Sequence, residues 1–504
     1  MSDKAEPITP LQQAAKPARR AAPEPLLPVV LREVRGFCAA HVDPARIDRD
    51  GALGADLLGA IAAQGWFGLT VPERHGGVGL SLAATTQVIA ELAGRDGSVG
   101  TCVGLHSGLA LHALLHGARP ALAAKYLPEI AEGRRICAFA ATEPEAGSDI
   151  ASVKTTLVEV GGRLRLSGSK CYVTNGGLAG LVTVLARSPG LGGAKAGYTL
   201  VAVDPRWRGV VRGQEEHKLG LKGSSTITID FDDVEIPADH VLGEPSQGLV
   251  HAHAALTWGR TLMAAGCLGT ARAALEDVWK HVENRRQFGR PLARFALVRA
   301  SIADLRAEVL TIDRVIQRAV EADDLALPSV IAKIVASEGA HAVVDRSIQL
   351  MGGAGFMEDA GMARRLRDVR VTRIFEGAND VLRLSLASDA LGWKLAPLES
   401  LRVSEAIDPR IAALVTTLGV VRKTWGFRLF ERQELQVHLA DAIVGLYCAI
   451  ALQPRAGEAL DDLVTHAIDR QLRRVDEALA RANTPVDKER DARVDRLASS
   501  LTSR

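Results

Sequence analysis

Thr226-Ile227-Thr228-Ile229-Asp230-Phe231 alternates polar and apolar side chains without a break. A period of two sends Ile227, Ile229 and Phe231 to one face of an extended strand, and Thr228 and Asp230 to the other. That is the pattern of a strand buried on one side. Two β-rich runs precede it, Leu181-Val182-Thr183-Val184-Leu185 and Thr199-Leu200-Val201-Ala202-Val203, with turn formers at Gly161-Gly162 and Asp204-Pro205. These runs mark a middle β-domain over 136–245.

On either side the period becomes helical. Upstream, Leu53, Leu57, Leu58, Ile61 and Ala62 recur at spacings of three and four. Gly65 and Gly68 end that helix, Val71-Pro72 begins an extended turn, and His75-Gly76-Gly77-Val78-Gly79 forms a glycine-rich loop. A second helix follows with Val88, Ile89, Leu92 and Ala93 on its apolar side. This gives an N-terminal helical domain over 29–135. Downstream, a helical bundle over 246–397 is punctuated at Gly289-Arg290-Pro291, Leu327-Pro328 and Gly352 to Gly355, and an additional helical domain covers 398–504. The fold class is mainly α with a central β-domain.

Residues 1–28 are rich in Ala and Pro and carry both charge signs, which reads as a disordered tail. They hold no apolar stretch able to form a signal-peptide core, and Asp3 and Glu6 argue against a transit peptide. No uncharged apolar run approaches bilayer length; the longest, around 411–421 and 442–452, stop near eleven residues. Sixty-one Lys and Arg against 59 Asp and Glu give a net charge of +2, so there is no electrostatic footprint for nucleic acid. The six cysteines are scattered without a C-x-x-C pair, which argues against a zinc site or disulfide framework and for a reducing compartment. G-x-G-x-x-G, G-x-x-x-x-G-K-[ST], H-E-x-x-H and G-x-S-x-G are all absent, leaving a Rossmann site, a P-loop, a zincin and a nucleophile elbow without support.

Four other segments stand out: Ala141-Thr142-Glu143-Pro144-Glu145-Ala146-Gly147-Ser148-Asp149; Lys170-Cys171-Tyr172-Val173-Thr174-Asn175-Gly176; Asn284-Arg285-Arg286-Gln287-Phe288-Gly289; and 349–380, which holds Gln349-Leu350-Met351-Gly352-Gly353-Ala354-Gly355-Phe356 and Arg373-Ile374-Phe375-Glu376-Gly377-Ala378-Asn379-Asp380. Singly, each reads as turn or helix-end sequence. Together, in this order, and with Gly68-Leu69-Thr70-Val71-Pro72-Glu73 and Lys218-Leu219-Gly220-Leu221-Lys222-Gly223-Ser224, they resemble the acyl-CoA dehydrogenase family over roughly residues 30–395. The added C-terminal domain and the string Ile374-Phe375-Glu376-Gly377 resemble its very-long-chain branch.

The resemblance implies an N-terminal helical domain, a middle β-barrel, a C-terminal four-helix bundle and an extra helical domain. It implies FAD-dependent α,β-dehydrogenation of an acyl-CoA, a long-chain one by branch analogy, within fatty acid β-oxidation. Glu376 matches the family's α-proton base, and a hydride leaves the β-carbon for the flavin. The Glu376 backbone N–H and a flavin ribityl hydroxyl would bind the thioester oxygen. Some relatives carry the base on an earlier helix, which here reads Leu256-Thr257-Trp258-Gly259-Arg260; Gly259 cannot serve, so Glu376 has no rival. Cofactor contacts carried over are Phe139, Ala141, Thr142, Ser148, Tyr172, Thr174, Ala378 and Asp380, with Arg285, Phe288, Gln349, Gly352 and Gly353 reaching the FAD of a partner subunit. Substrate contacts are Ser148, Thr257, Arg260, Glu376 and Gly377. The partner residues imply a homodimer, and the electron acceptor implied is an electron-transferring flavoprotein. Three positions depart from the usual family residue: Ala378 for Thr, Tyr172 for Trp, and Glu145 for Gly.

In the C-terminal domain, Ile411, Leu414, Val415 and Leu418 share one face, Ile443, Leu446, Tyr447 and Ile450 another, and Arg470, Arg473 and Arg474 cluster. The expected role is a helical layer packed on the core or on a second subunit; peripheral membrane contact is the sharper alternative. Two other readings keep the fold: a flavin oxidase or monooxygenase, and a scaffold acting through the C-terminal helices. The expected location is bacterial cytoplasm, or mitochondrial matrix in a eukaryote.

Overall fold

The strand expected at 226–231 runs in the structure from Thr226 to Ile236, with Ile227, Ile229, Phe231, Val234 and Ile236 buried and Asp230 exposed. The structure is a computed structural model that describes residues 9–16, 24–193, 197–455, 458–484 and 488–502. Eight strands form the middle sheet: β1 (Ile136–Ala140), β2 (Thr156–Val160), β3 (Arg163–Thr174), β4 (Ala179–Arg187), β5 (Tyr198–Val203), β6 (Val210–Glu215), β7 (Thr226–Ile236) and β8 (Val241–Leu242). Their order is β6-β7-β3-β2-β4-β5-β8, with β1 added in parallel to β4 in the register Phe139 opposite Thr183. β4 and β5 are near-continuous apolar runs because both of their faces are covered.

Helices flank this sheet. The N-terminal domain places α1 (Leu82–Arg95) and α2 (Gly97–Leu105) against α3 (Gly248–Asn284), the longest helix. The α1–α3 crossing is close enough that a Cβ on Gly269 would lie 1.9 Å from the Ala90 carbonyl oxygen, so only glycine fits there. α1 is capped by Ser81, whose hydroxyl accepts from the Ala84 N–H at 3.2 Å. The bundle continues with α4 (Ala296–Val320), α5 (Ala326–Met351) and α6 (Asn379–Leu391). The break expected at Leu327-Pro328 lies just upstream: α5 begins at Ala326, and Pro328 is tolerated in the first turn, where its missing N–H has no partner to lose.

The C-terminal domain supplies α7 (Asp408–Thr424), α8 (Gln433–Ala451) and α9 (Asp462–Ala482). One continuous hydrophobic core joins α3, α4 and α5 to these helices. Ile411, Leu414, Val415, Leu418, Ile443, Leu446, Tyr447 and Ile450 are all buried in it. Arg470 and Arg474 pair with Glu308 of α4 at 3.2 and 2.9 Å. The apolar faces named for a membrane contact are therefore packed inside the molecule, and Arg470 and Arg474 are engaged by Glu308, with Arg474 still half-exposed. Three helical stretches among the described residues, Gly97–Gly117, Ala326–Met351 and Gln433–Ala451, are long and apolar enough to cross a bilayer, and the first holds no Asp, Glu, Lys or Arg over 21 residues, against the expectation that uncharged runs stop near eleven; all three are mostly interior.

Part of the expected tail is ordered. Thr9 and Gln12 form a capping box on the helix Pro10–Ala15, whose Leu11 and Ala14 are buried against α8. Residues 1–8 and 17–23 of that tail lie outside the described residues.

Candidate active site

A cleft opens where β1, β3, α3 and the 375–377 turn meet. It is lined by Leu105, Leu109, Phe139, Ala141, Thr142, Gly147, Ser148, Ile150, Tyr172, Thr174, His253, Leu256, Arg260, Phe375, Glu376, Gly377, Val381, Leu382 and Ser385. The strand ends explain the first group: Phe139 lies in the last residues of β1 and Tyr172 and Thr174 in those of β3, while Ala141 and Thr142 follow where β1 stops at Ala140. Leu105 comes from the end of α2 and Leu109 from the π-helical bulge, His106–Ala110, that follows it. His106 pins this bulge: the Cys137 N–H donates to its Nδ1 at 2.9 Å, so Nε2 carries the proton and donates to the Phe67 carbonyl at 2.8 Å. Burial holds this imidazole down to about 4, and it stays neutral.

Glu376 sits at the centre. Its backbone has φ 58°, and Gly377 follows at φ 98°. A non-glycine residue in the left-handed region is held there against a cost of about 1–3 kcal/mol. Two cations hold it, half-buried Arg260 and buried Lys333: Arg260 Nε donates to the Glu376 carbonyl at 2.9 Å, and Lys333 Nζ to the Gly377 carbonyl at 2.8 Å. The residue as a whole is half-buried, but carboxylate atom Oε2 is fully buried and has no hydrogen-bond partner. Burial pushes the carboxyl up to about 7, against the pull of Arg260 and Lys333. The carboxylate lies over Gly259, where a Cβ would come within 3.0 Å of Oε2 and 2.5 Å of a Leu109 methyl. Gly259, which cannot itself act as a base, is thus what leaves room for the Glu376 carboxylate.

Of the residues singled out from sequence, Phe139, Ala141, Thr142, Ser148, Tyr172, Thr174, Arg260, Glu376 and Gly377 converge on this cleft. Thr257 does not line it; its hydroxyl donates to the His253 carbonyl within α3 at 2.9 Å. Ala378 and Asp380 lie beside the turn, at the N-cap and in the first turn of α6, without lining the cleft. Arg285, Phe288, Gln349, Gly352 and Gly353 also stay outside the cleft, and all five are exposed. Phe288 is 90% exposed at the tip of a two-residue hairpin with Gly289, both at positive φ.

Four further residues shape the site. Glu143 and Lys170 form a buried pair at 2.8 Å, and Lys170 also donates to the Ala141 carbonyl. Glu143 accepts from the backbone N–H groups of Lys154 and Thr155 as well. The pair therefore folds the 141–149 loop against the sheet. Both residues stood inside the quoted motifs; their partnership, across 27 positions, did not show. Lys333 carries the other signal, a single charge in the apolar run Ser329-Val330-Ile331-Ala332-Lys333-Ile334-Val335-Ala336-Ser337. Its Nζ donates to Asn379 Oδ1 at 2.5 Å in addition to the Gly377 carbonyl.

An apolar channel continues from the cleft. Leu105 and Phe375 line both, and beyond them come Ala93, Gly97, Gly100, Gly104, Leu262 and Gly266 between α1, α2 and α3. Its cavity is narrow, ≈ 40 Å³ in volume.

Three family models match this chain: "Acyl-CoA dehydrogenase, N-terminal domain" over residues 29–134, "middle domain" over 138–234, and "C-terminal domain" over 246–391. The very long-chain specific acyl-CoA dehydrogenase of Rattus norvegicus is 38% identical over 357 residues, 68% of this chain and 54% of that one. The chain thus spans about half the length of such relatives. An acyl-CoA dehydrogenase of Bacillus subtilis is 32% identical over 372 residues, covering 72% of this chain and 98% of the relative. Among solved structures, butyryl-CoA dehydrogenase from Megasphaera elsdenii superposes with TM-score 0.70 at 29% identity, covering 74% of this chain and all of that one. An acyl-CoA dehydrogenase from Bacillus anthracis complexed with FAD reaches TM-score 0.82 over 96% of this chain and 94% of its own, at 23% identity, a likeness of fold.

Proposed function

Because the chain belongs to the acyl-CoA dehydrogenase family, we propose that it removes an α-proton and a β-hydride from a long-chain acyl-CoA to give the trans-2-enoyl-CoA, with FAD as cofactor and Glu376 as base. The observation that carries this is the Glu376 carboxylate: buried, unpartnered at Oε2, and pushed up to about 7, where a group can take a weakly acidic proton near neutrality.

The cleft suits a flat ring. Ala141, Thr142, Gly147, Ser148 and Thr174 are small, and they line the cleft together with the aromatic Phe139 and Tyr172. Tyr172 is 66% exposed, an apolar face left open on the cleft's edge. FAD bound there would take up the β-hydride and supply the redox chemistry. Phe139, Ala141, Thr142, Ser148, Tyr172 and Thr174 would hold the ring end, and the exposed Arg285, Phe288, Gln349, Gly352 and Gly353 would reach the FAD of a second copy in a homodimer. Arginine suits a pyrophosphate because its planar fork matches phosphate oxygens.

The chain's own part is to place and tune the base. Glu376 Oε2 accepts the α-proton, Arg260 and Lys333 fix its backbone, and Leu105, Leu109, Leu256 and Phe375 keep water from the carboxylate. Arg260, at the turn's side of the cleft, would serve the thioester end of the substrate. A long acyl chain would enter the narrow glycine-lined crevice beyond Phe375 by parting its side chains, and its transfer from water is favourable by about 0.8 kcal/mol per CH₂. An electron-transferring flavoprotein would then reoxidise the flavin.

Mixing the FAD-loaded enzyme with long-chain acyl-CoA without oxygen tests the reading. The wild type should bleach its flavin absorbance, and Glu376→Gln should keep FAD yet slow bleaching by about 10²–10⁴-fold. Near-wild-type bleaching by the Gln variant would remove Glu376 from the reaction.

A further inference from the structure

Lys333 is fully buried in the middle of α5, where an ammonium costs several kcal/mol unless its donors are met. Its two partners are both on the reacting turn: the Gly377 carbonyl at 2.8 Å and Asn379 Oδ1 at 2.5 Å. Asn379 is itself held, its amide donating to Ser337 Oγ at 3.0 Å and to Glu338 Oε1 at 2.8 Å. Glu338 is clamped by Arg373 at 2.9 Å and approached by Arg383 at 3.5 Å. Arg383 reaches across to Asp441 of α8, in the C-terminal domain, at 2.8 Å. An unbroken polar line thus runs from the added domain to the turn that carries the carboxylate.

The line ends on a conformation that does not hold itself. Glu376 at φ 58° and Gly377 at φ 98° need external restraint, and two consecutive carbonyls receive it from two cations on different helices, half-buried Arg260 of α3 and buried Lys333 of α5. A base displaced by about 1 Å can lose about 10²-fold in rate. We propose that Lys333 is a positioning residue for the α-proton transfer: from α5 it fixes the Gly377 carbonyl and, through Asn379, Glu338 and Arg383, ties the Glu376 turn to Asp441 of the C-terminal domain. This rests on Glu376 being the base. The charged groups around it are few. Arg260 and Lys333 face Glu376, while Cys267, Arg260, Glu338 and Glu376 face Lys333. Removing the Lys333 cation removes one of two positive charges that favour the carboxylate.

The test uses the full-length, FAD-loaded enzyme and follows the limiting rate of flavin reduction by long-chain acyl-CoA across neutral pH, with FAD content and helicity as folding controls. Lys333→Met should lose about 10-fold or more in limiting rate, with half-saturation little changed. Its low-pH limb should move up by about one unit, because an opposite charge near the carboxylate is gone. Lys333→Arg should keep the limb at its wild-type position. Lys333→Gln, which retains a donor for Gly377 without the charge, should move the limb with a smaller loss of rate, and it serves if the Met variant does not fold. Asp441→Asn should lower the limiting rate several-fold and leave the limb in place. A folded, FAD-loaded Lys333→Met or Lys333→Gln enzyme with wild-type rate and limb overturns the positioning role, and wild-type kinetics in Asp441→Asn overturns the tie to the C-terminal domain. Failure of the wild type itself to reduce flavin would instead count against the proposed reaction.

Discussion

A carboxyl raised by burial has opposite consequences for chemistry and for folding. Glu376 stands at about 7 in the fold, above the usual carboxylate range. A group raised in the folded state stabilises the fold fully below its unfolded value and loses that contribution as pH rises through the folded value. Between pH ~4.5 and ~7, the ligand-free protein should therefore lose stability at this site, while the base, active only when ionised, gains rate. Thermal unfolding of wild type and Glu376→Gln against pH checks this: the wild type's stability should fall relative to the variant's across that window, and parallel curves would show the carboxyl is not raised. Gly259 supports a second residue-scale prediction. A methyl there would meet both Leu109 and Oε2, so Gly259→Ala should push the base aside and cut flavin reduction by about 10-fold or more with FAD still bound. Glu376 was legible as a residue because its string is distinctive. Its strain and its dependence on Lys333, 44 positions from Gly377, were not, because a contact between distant helices leaves no local pattern.

Elements show the same division. The period of two at 226–231 and the helical spacing at 53–62 and 88–93 mapped directly onto strand and helix, since both report which face is buried. Thr9-Pro10-Leu11-Gln12 was equally readable as a capping box, yet the Ala and Pro around it favoured a tail; burial against α8 decides in favour of the helix. The 141–149 loop read as a turn, and its order comes from the buried Glu143–Lys170 pair. Breaking such a pair leaves an uncompensated charge, so Lys170→Met should destabilise the protein by about 3–5 kcal/mol in chemical unfolding. Adding Glu143→Gln should recover part of that loss; no recovery would mean the charge is not the cause. The channel between α1, α2 and α3 makes a different prediction. A Cβ at Gly266 meets only the Ala93 methyl at 3.6 Å, so a larger side chain fits the helix and fills the cavity. Gly266→Leu should lower kcat/KM for long acyl chains by about 10-fold or more, on the order of two CH₂ groups of lost burial, and spare short ones. Equal losses at all lengths would place the acyl chain elsewhere.

At the scale of the molecule, the C-terminal helices and the bundle share one core, so the added domain is a wall of the enzyme rather than an appendage. Sequence placed amphipathic helices there, but not the surface that would receive them, because an apolar face looks the same whether it meets lipid, a second subunit or the chain's own bundle. The chain leaves apolar groups uncovered on the C-terminal domain, such as Phe430 at 66% and Leu460 at 59%, and also on the bundle. Phe288 is 90% exposed, Leu297 73%, Phe356 72% and Met357 54%, all within or next to the segments that also carry Arg285, Gln349, Gly352 and Gly353. Large apolar groups at such exposure, beside residues suited to a phosphate, are what the proposed homodimer would cover. Phe288→Glu puts a charge on a side chain that touches little within its own chain, so the fold of one copy should be unaffected. Its effect should fall on assembly: the dimer expected for the wild type in sedimentation should shift toward monomer as the protein is diluted, and FAD should be lost in parallel because each site would lack its neighbour's contribution. A variant that stays dimeric with full FAD would mean that this tip does not reach the second copy's cofactor, and the exposed segment would need another partner.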